Sequence, residues 1–134
     1  MAVSPLEDRY RTEMNPIFED KAKLGYWMEV EVALARAHAK LGDIPKDVPA
    51  EIEKASKKVE LARVLEIEAQ THHDLMAMVK ALTEKCSGKA GAFVHLGATS
   101  YDIEDTATAL QFRDAIALLR RHSVEVAKDR KSVV

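Results

Sequence analysis

Two segments of the sequence place hydroxyl, imidazole and carboxylate groups where helices are expected to begin. Residues 71–74 read Thr-His-His-Asp before an apolar run, and residues 99–102 read Thr-Ser-Tyr-Asp before an alanine-rich run. In both, an acid follows a hydroxyl residue after three positions, which is a capping box with Asp in the usual Glu or Gln position. We therefore expect one helix over about 72–86 and another over about 102–129.

The beginning of the second helix has the composition of an anion site. Gly97 and Ala98 are small enough for a ligand to approach the backbone closely. Thr99 and Ser100 would add hydroxyls to the free N–H groups of a helix N-terminus, and these groups together suit a carboxylate or a phosphate. The same residues also serve as ordinary helix caps, and the pattern alone favours that structural interpretation.

His72, His73 and Asp74 form a second candidate site. Consecutive helical residues point about 100° apart, so the two histidines are not expected to share a metal ion. A neutral imidazole could donate a hydrogen bond to an anionic substrate, with Asp74 fixing its tautomer. The structural alternative, which the pattern alone favours, is a capped helix start with one histidine packed and the other solvated.

Other candidate residues give weaker signals. Arg9 offers a planar charged fork that suits phosphate or carboxylate, and Tyr10 offers a ring that can stack on a base. His95 stands between Val and Leu and is expected to be partly buried with its hydrogen bonds satisfied. His38 and His122 lie among charges typical of helix surfaces, and we assign them no role.

The composition narrows the class of protein. A chain of 134 residues fits one domain, and 47% hydrophobic with 31% charged residues excludes disorder by composition. A net charge of -2 argues against a protein that coats nucleic acid or a membrane surface. A single cysteine, Cys86, excludes an internal disulfide. With no apolar run of about 20 residues and a charged N-terminus, we expect a cytoplasmic protein.

The spacing of apolar residues predicts an all-α fold that would position these sites. Helices are expected over 17–41 with Gly42 as the stop, over about 49–58, and over 59–69. Residues 88–97 are expected to form an extended loop, because no other strand candidate offers a partner. The core is expected to include Trp27, Met28, Met76 and Met78.

Three stretches, in this order, resemble the N-terminal region of the adenylosuccinate lyases of the fumarase/aspartase superfamily. They are residues 4–10 (Ser-Pro-Leu-Glu-Asp-Arg-Tyr), 71–77 (Thr-His-His-Asp-Leu-Met-Ala) and 95–107 (His-Leu-Gly-Ala-Thr-Ser-Tyr-Asp-Ile-Glu-Asp-Thr-Ala). The third stretch is the most specific, and it is shared with the carboxymuconate-cycloisomerase branch. The first stretch favours the adenylosuccinate lyases.

The resemblance implies a particular organisation. Residues 1–101 would form the N-terminal helical domain, and residues 102–134 would begin the long helix of the central bundle domain. The resemblance covers nearly the whole chain but only about the first third of such an enzyme, so we expect this chain to be a fragment or truncation. Family members are homotetramers in which three subunits contribute to each active site.

The resemblance also implies a reaction, the β-elimination of fumarate from adenylosuccinate, giving AMP, and from the succinocarboxamide imidazole ribotide. Neither a cofactor nor a metal is expected, and neither nucleic acid nor membrane is an expected partner. The implied substrate-binding residues are Arg9, Tyr10, His72, His73, Asp74, His95, Thr99 and Ser100. His73 and His95 would play supporting roles. The general acid histidine and general base serine belong to motifs missing here, so the 134-residue chain alone is expected to be inactive.

Two other functions remain open. A cycloisomerase-type lyase of the same superfamily would act on an acid that is not a nucleotide. A non-enzymatic helical module would use the apolar face of the last helix, with Ile103, Leu110, Ile116 and Leu119, to bind partner helices.

Overall fold

The computed structural model describes residues 9–132, and this part of the chain is a set of helices joined by short loops. The helices are α1 (Asn15–Phe18), α2 (Asp20–Leu41), α3 (Val48–Ser56), α4 (Leu61–Thr71), α5 (Asp74–Lys85) and α6 (Ser100–Ser132), with a 3-10 helix, Ala90–Phe93, between α5 and α6. No strand occurs in this range, so the all-α prediction is confirmed. Most of the first family-like stretch, residues 4–8, lies outside the described residues, as do residues 133 and 134.

The long helix α2 is the central element, and it packs against α3 and α6 with smaller contacts to α1 and α4. Its buried side chains recur at helical spacing and include Leu24, Trp27, Met28, Val32 and Ala35. The extended backbone of Glu19 (ψ 152°) separates α1 from α2, so the single helix predicted from residue 17 is two helices. Gly42 ends α2 at φ 91°, where its N–H donates to the His38 carbonyl, as a left-handed stop requires.

Helices α4 and α5 form a tightly packed hairpin, and α5 supplies the most buried part of the core. Ala77, Met78, Ala81 and Leu82 have no exposed surface. The prediction that Met76 also lies in the core is wrong, because its side chain is 39% exposed. Residues two apart on a helix point to nearly opposite sides, so Met76 and Met78 cannot both face the core.

The segment before α6 is more compact than predicted. Residues 90–93 form a 3-10 helix rather than part of an extended loop. Gly91 lies against α5, where a Cβ would come within 3.0 Å of the Thr83 side chain, so the close approach suits glycine.

Helix α6 has 33 residues and is about 50 Å long. Ile103, Ala107, Gln111 and Ala115, each four residues apart, are buried. From Leu119 to Lys131 every side chain is exposed. The first half of α6 therefore belongs to the helical core and the second half extends from it. None of the described helices combines the length and hydropathy needed to span a membrane.

Candidate functional site

The N-termini of α5 and α6 meet at one cleft. His73, which begins α5, places Nε2 3.4 Å from Oγ of Ser100, which begins α6. The cleft has a volume of about 840 Å³ and opens to solvent. Among its lining residues are six of the residues predicted for the site, namely His72, His73, Asp74, His95, Thr99 and Ser100. Sequence segments that lie more than 20 residues apart are thus brought to one place.

The start of α5 is built differently from the predicted capping box. Thr71 is the last residue of α4, and its Oγ1 donates to the carbonyl of Ile67 at 3.1 Å. His72 ends α4 in the left-handed conformation, with φ 52°. The cap of α5 is His73, whose Nδ1 accepts a hydrogen bond from the Met76 N–H at 3.3 Å. The predicted Thr71 cap is therefore wrong, because the preceding helix already uses that hydroxyl.

The cap also fixes the tautomer of His73. A backbone N–H can only donate, so Nδ1 carries the lone pair and the proton of the neutral ring is on Nε2. The Nε2–H group can then donate to Ser100 Oγ. Asp74 does not fix this tautomer as predicted, because its Oδ1 lies 3.8 Å from Nδ1, beyond hydrogen-bond distance. Its oxygens instead accept from the Leu75 N–H at 2.8 Å and from Lys23 Nζ at 3.3 Å.

Carboxylates form much of the remaining polar lining. Burial opposes the ionisation of Asp74, but the Leu75 N–H and Lys23 outweigh it and lower the pKa of this carboxyl. Burial, and then the negative charge of Asp74, raise the pKa of Glu104. Glu68 also lines the cleft, whereas no lysine or arginine does so in the described range. Residues 9–132 contain no group of three His, Cys, Asp or Glu side chains placed to hold a metal ion.

The start of α6 confirms the acid half of the predicted capping box. The Thr99 N–H donates to Asp102 Oδ2 at 2.8 Å, so the first-turn acid reaches back to the cap residue. Thr99 is exposed and Ser100 is half-buried. Both residues therefore remain accessible from the cleft.

His95 lies at the edge of the cleft and is half-buried, as predicted. The prediction that its hydrogen bonds are satisfied holds for one side of the ring only. Its Nδ1 is 2.6 Å from Oε1 of Glu31, and its backbone N–H donates to Oε2 of Glu31 at 3.1 Å. Burial raises the pKa of Glu31, although its bonds to His95 act in the opposite direction. Glu31 was not predicted as part of the site. The sequence did contain a signal for it, because Glu31 follows Leu24 by seven residues and precedes Ala35 by four. That spacing places an acid on the apolar side of α2.

His38, to which no role was assigned, holds the loop that carries His95. Its Nδ1 is 2.9 Å from Asp43 Oδ2 and its Nε2 is 3.0 Å from the Leu96 carbonyl oxygen. Both partners are acceptors, so both bonds form only when His38 is protonated on both nitrogens. The bond to Asp43, aided by the Leu96 carbonyl, raises the pKa of His38.

Arg9 and Tyr10 stand apart from this site. Both are exposed at the beginning of the described residues, and neither lines the cleft. The structure therefore does not bring the predicted nucleotide contacts to the two helix starts.

The comparisons with known proteins agree with the motifs around the cleft. Residues 7–127 match the model of a family described as lyase. The chain belongs to this lyase family. Its match spans α1 to α5 and most of α6, so it includes every residue described above at the cleft.

The curated relatives of this lyase-family chain include adenylosuccinate lyases. The chain is 51% identical to that of Pyrococcus abyssi over 129 residues and 49% identical to that of Methanocaldococcus jannaschii over 122 residues. These alignments cover 94% and 89% of this chain but only 28% and 26% of the relatives. The chain thus spans little more than a quarter of their length, and the predicted resemblance to adenylosuccinate lyases is confirmed.

Solved structures of other lyase-superfamily enzymes share the fold. A fumarate lyase from Mesorhizobium sp. BNC1 gives a TM-score of 0.74 at 39% identity, covering 81% of this chain and 26% of that one. A 3-carboxy-cis,cis-muconate lactonizing enzyme from Pseudomonas putida gives a TM-score of 0.77 at 36% identity. That alignment covers 87% of this chain and 28% of the lactonizing enzyme.

Proposed function

We propose that this chain is the N-terminal part of a cytoplasmic adenylosuccinate lyase, which releases fumarate from adenylosuccinate, giving AMP, and from the succinocarboxamide imidazole ribotide. The observation that carries the proposal is the meeting of His73 and Ser100 at one cleft. The chain is 51% identical to a curated adenylosuccinate lyase and 36% identical to the muconate lactonizing enzyme. This difference supports a succinyl nucleotide as the substrate over a muconate.

In this reaction a base removes the proton next to a carboxylate, the C–N bond breaks, and an acid protonates the departing nitrogen. Negative charge builds on the carboxylate in between, so donors aimed at it lower the barrier. The Nε2–H of His73, the hydroxyls of Thr99 and Ser100, and the N-terminus of α6 are such donors. In the proposal His73 and His95 bind and polarise, Asp74 orders the start of α5, and the acid and base come from outside these 134 residues.

The remaining roles rest on the resemblance. Arg9 and Tyr10 are proposed to contact the nucleotide once further parts of the enzyme are present, and His72 is proposed as an outer contact. Residues 1–101 would be the N-terminal domain and residues 102–134 the beginning of the bundle helix of a homotetramer. The exposure of Ile116 (62%) and Leu119 (55%) on α6 supports the bundle assignment, because a helix in a bundle buries such side chains against others.

The test is made in the full-length parent enzyme, with His73→Ala and Ser100→Ala. We expect each to reduce fumarate release from adenylosuccinate by about 100-fold or more, as is typical of lost transition-state donors. Ser87→Ala, an exposed position away from the cleft and outside α6, is the matched control. Circular dichroism melts verify folding. Turnover within twofold of wild type in folded His73 and Ser100 variants would contradict the roles proposed for these residues. Absence of fumarate release by the wild-type parent would favour a non-enzymatic helical module.

A cycloisomerase-type activity is the second candidate, because the fold matches the muconate lactonizing enzyme with a TM-score of 0.77. Thermal-shift measurements on the parent enzyme separate the two. We expect AMP and adenylosuccinate to raise the melting temperature and carboxymuconate to leave it unchanged. Stabilisation by carboxymuconate alone would assign the cleft to the other branch.

A further inference from the structure

Glu31 is a buried acid whose two oxygens are both directed at one residue of the cleft. It lies in the middle of α2 and is 2% exposed. Its Oε2 accepts from the His95 backbone N–H at 3.1 Å, and its Oε1 lies 2.6 Å from His95 Nδ1. A charged group is rarely left so deep without a specific partner, because desolvation of the charge is costly.

The positions of the two oxygens restrict the protons. The backbone N–H of His95 can only donate, so Oε2 must accept. If Glu31 is ionised, Oε1 also accepts, and Nδ1 must carry a proton. The other nitrogen, Nε2, makes no hydrogen bond to any residue in the range 9–132. His95 is itself among the residues that line the cleft.

We propose that Glu31 is a positioning residue that keeps a proton on Nδ1 of His95 and thereby presents Nε2 to the substrate. The inference rests on the proposed function, in which His95 contacts substrate. It extends that function by assigning a role to a residue outside the cleft. Nε2 then accepts a hydrogen bond while the ring is neutral, and donates one to an anionic group once the ring is protonated.

The backbone around His95 fits such a role. His95 itself has φ 60° and Gly97 has φ 69°, so this turn is held in a left-handed conformation that costs energy at a non-glycine residue. The next carbonyl, that of Leu96, is bound by His38, which lies on the same helix as Glu31. Helix α2 therefore holds two adjacent residues of the turn and fixes the direction of the imidazole.

The test is the tautomer of His95 in the 134-residue chain, read from long-range ¹⁵N–¹H correlation spectra of the imidazoles. The chain has five histidines, and the imidazole cross-peaks of His95 are identified as those that disappear in His95→Gln. In wild type we expect a protonated Nδ1. In Glu31→Gln, the one amide oxygen must accept from the His95 N–H, which turns the NH₂ group towards Nδ1. We therefore expect the proton to move to Nε2 in this variant.

Glu29→Gln is the matched control, since Glu29 lies on the same helix and is exposed. It should leave the His95 pattern unchanged. An unprotonated Nδ1 in wild type, or the same tautomer in Glu31→Gln as in wild type, would overturn the proposal. If Glu31→Gln does not fold, the wild-type spectrum still decides, because the proposal requires a protonated Nδ1 there.

This measurement contains no substrate, so its failure is distinct from failure of the proposed function. A protonated Nδ1 that shifts in Glu31→Gln supports the positioning role even if the parent enzyme acts on another acid. Conversely, fumarate release by the parent enzyme together with an unprotonated wild-type Nδ1 overturns only the role of Glu31.

Discussion

The two nitrogens of His73 have different partners, and this couples the end of a helix to the cleft. Nδ1 accepts from the Met76 N–H, and Nε2 lies beside Ser100 Oγ. Protonation of Nδ1 would remove the acceptor that caps α5. The cap therefore selects the tautomer with Nε2–H, which can donate to an anionic substrate.

His73→Asn and His73→Ala separate these two roles. Asparagine is a preferred N-cap residue, so His73→Asn should keep the stability of the chain close to wild type. His73→Ala removes the cap and should lower the free energy of unfolding by about 1 kcal/mol. Urea denaturation of the 134-residue chain measures both. In the parent enzyme both variants should lose turnover, and wild-type activity in His73→Asn would show that the imidazole is not needed.

His38 makes the stability of the chain depend on pH. Asp43 and the Leu96 carbonyl raise its pKa in the folded state, so the folded chain binds this proton more tightly than the unfolded chain. The resulting stabilisation is fully present below the ordinary histidine pKa of about 6.5 and is lost as pH rises through the folded pKa. Thermal melts from acid to alkaline pH should show wild type losing its advantage over His38→Gln as pH rises.

His122→Gln is the control for this prediction, because His122 is exposed on the outer half of α6 and its 3.5 Å contact with Glu13 Oε2 is a surface ion pair of little weight. It should leave the pH dependence close to that of wild type. A gap between wild type and His38→Gln that stays constant with pH would contradict a protonated link to Leu96.

The contacts that the sequence did not predict have one property in common, which is that they join residues far apart in the chain. Glu31 meets His95 across 64 positions of the chain, Lys23 meets Asp74 across 51, and His38 meets Leu96 across 58. Such pairs depend on how helices pack, and no local pattern encodes their separation. The Thr99–Asp102 pair at the start of α6, by contrast, follows a local rule of spacing and is predictable from the sequence.

At the scale of the element, local signals predicted some helix ends and not others. Gly42 ends α2 as predicted, because a glycine at a left-handed position is a strong and local signal. Thr71 did not cap α5, because α4 continues to that residue and its hydroxyl bonds to Ile67. The rule for a capping box does not account for a preceding helix that runs to the same threonine.

Asp102→Ala tests the cap of α6. Asp102 Oδ2 accepts from the Thr99 N–H and stands in the first turn, where a negative charge also favours the helix dipole. We expect its loss to lower the free energy of unfolding by about 0.5–1 kcal/mol in urea denaturation. Asp105→Ala is the control, since it removes an exposed acid one turn later without touching this bond. An equal decrease in the free energy of unfolding in the two variants would mean that any negative charge near this helix end stabilises it, and that the hydrogen bond of Asp102 to Thr99 adds nothing.

At the scale of the whole molecule, the first half of α6 closes the core, and a pair of isoleucines tests this. Ile103 is 1% exposed and Ile116 is 62% exposed on the same helix. We expect Ile103→Ala to cost about 2–5 kcal/mol in the free energy of unfolding, through lost burial and a cavity. Ile116→Ala should change it by no more than about 0.5 kcal/mol in the same urea titration. A similar cost for both would mean that the outer half of α6 is also packed in solution.

The charges of the cleft support the expectation that the 134-residue chain alone has no lyase activity. Glu68, Asp74 and Glu104 line it, and no lysine or arginine does so within residues 9–132, although the proposed substrate is strongly anionic. Lys23 pairs with Asp74 at 3.3 Å from outside this lining and compensates part of the charge. Like charges repel such a ligand unless cations from outside this part of the chain compensate them. In the proposed function, the acid and the base also come from outside these 134 residues.

We therefore expect the purified 134-residue chain, incubated with adenylosuccinate, to release fumarate no faster than buffer does, as followed by fumarate absorbance. The full-length parent enzyme at equal molar concentration is the positive control. Isothermal titration should likewise detect no binding of adenylosuccinate to the chain, because its carboxylates oppose the ligand and the few donors of its cleft do not cover the cost of association. Fumarate release well above buffer, abolished by Ser100→Ala, would mean that the chain holds its own acid and base.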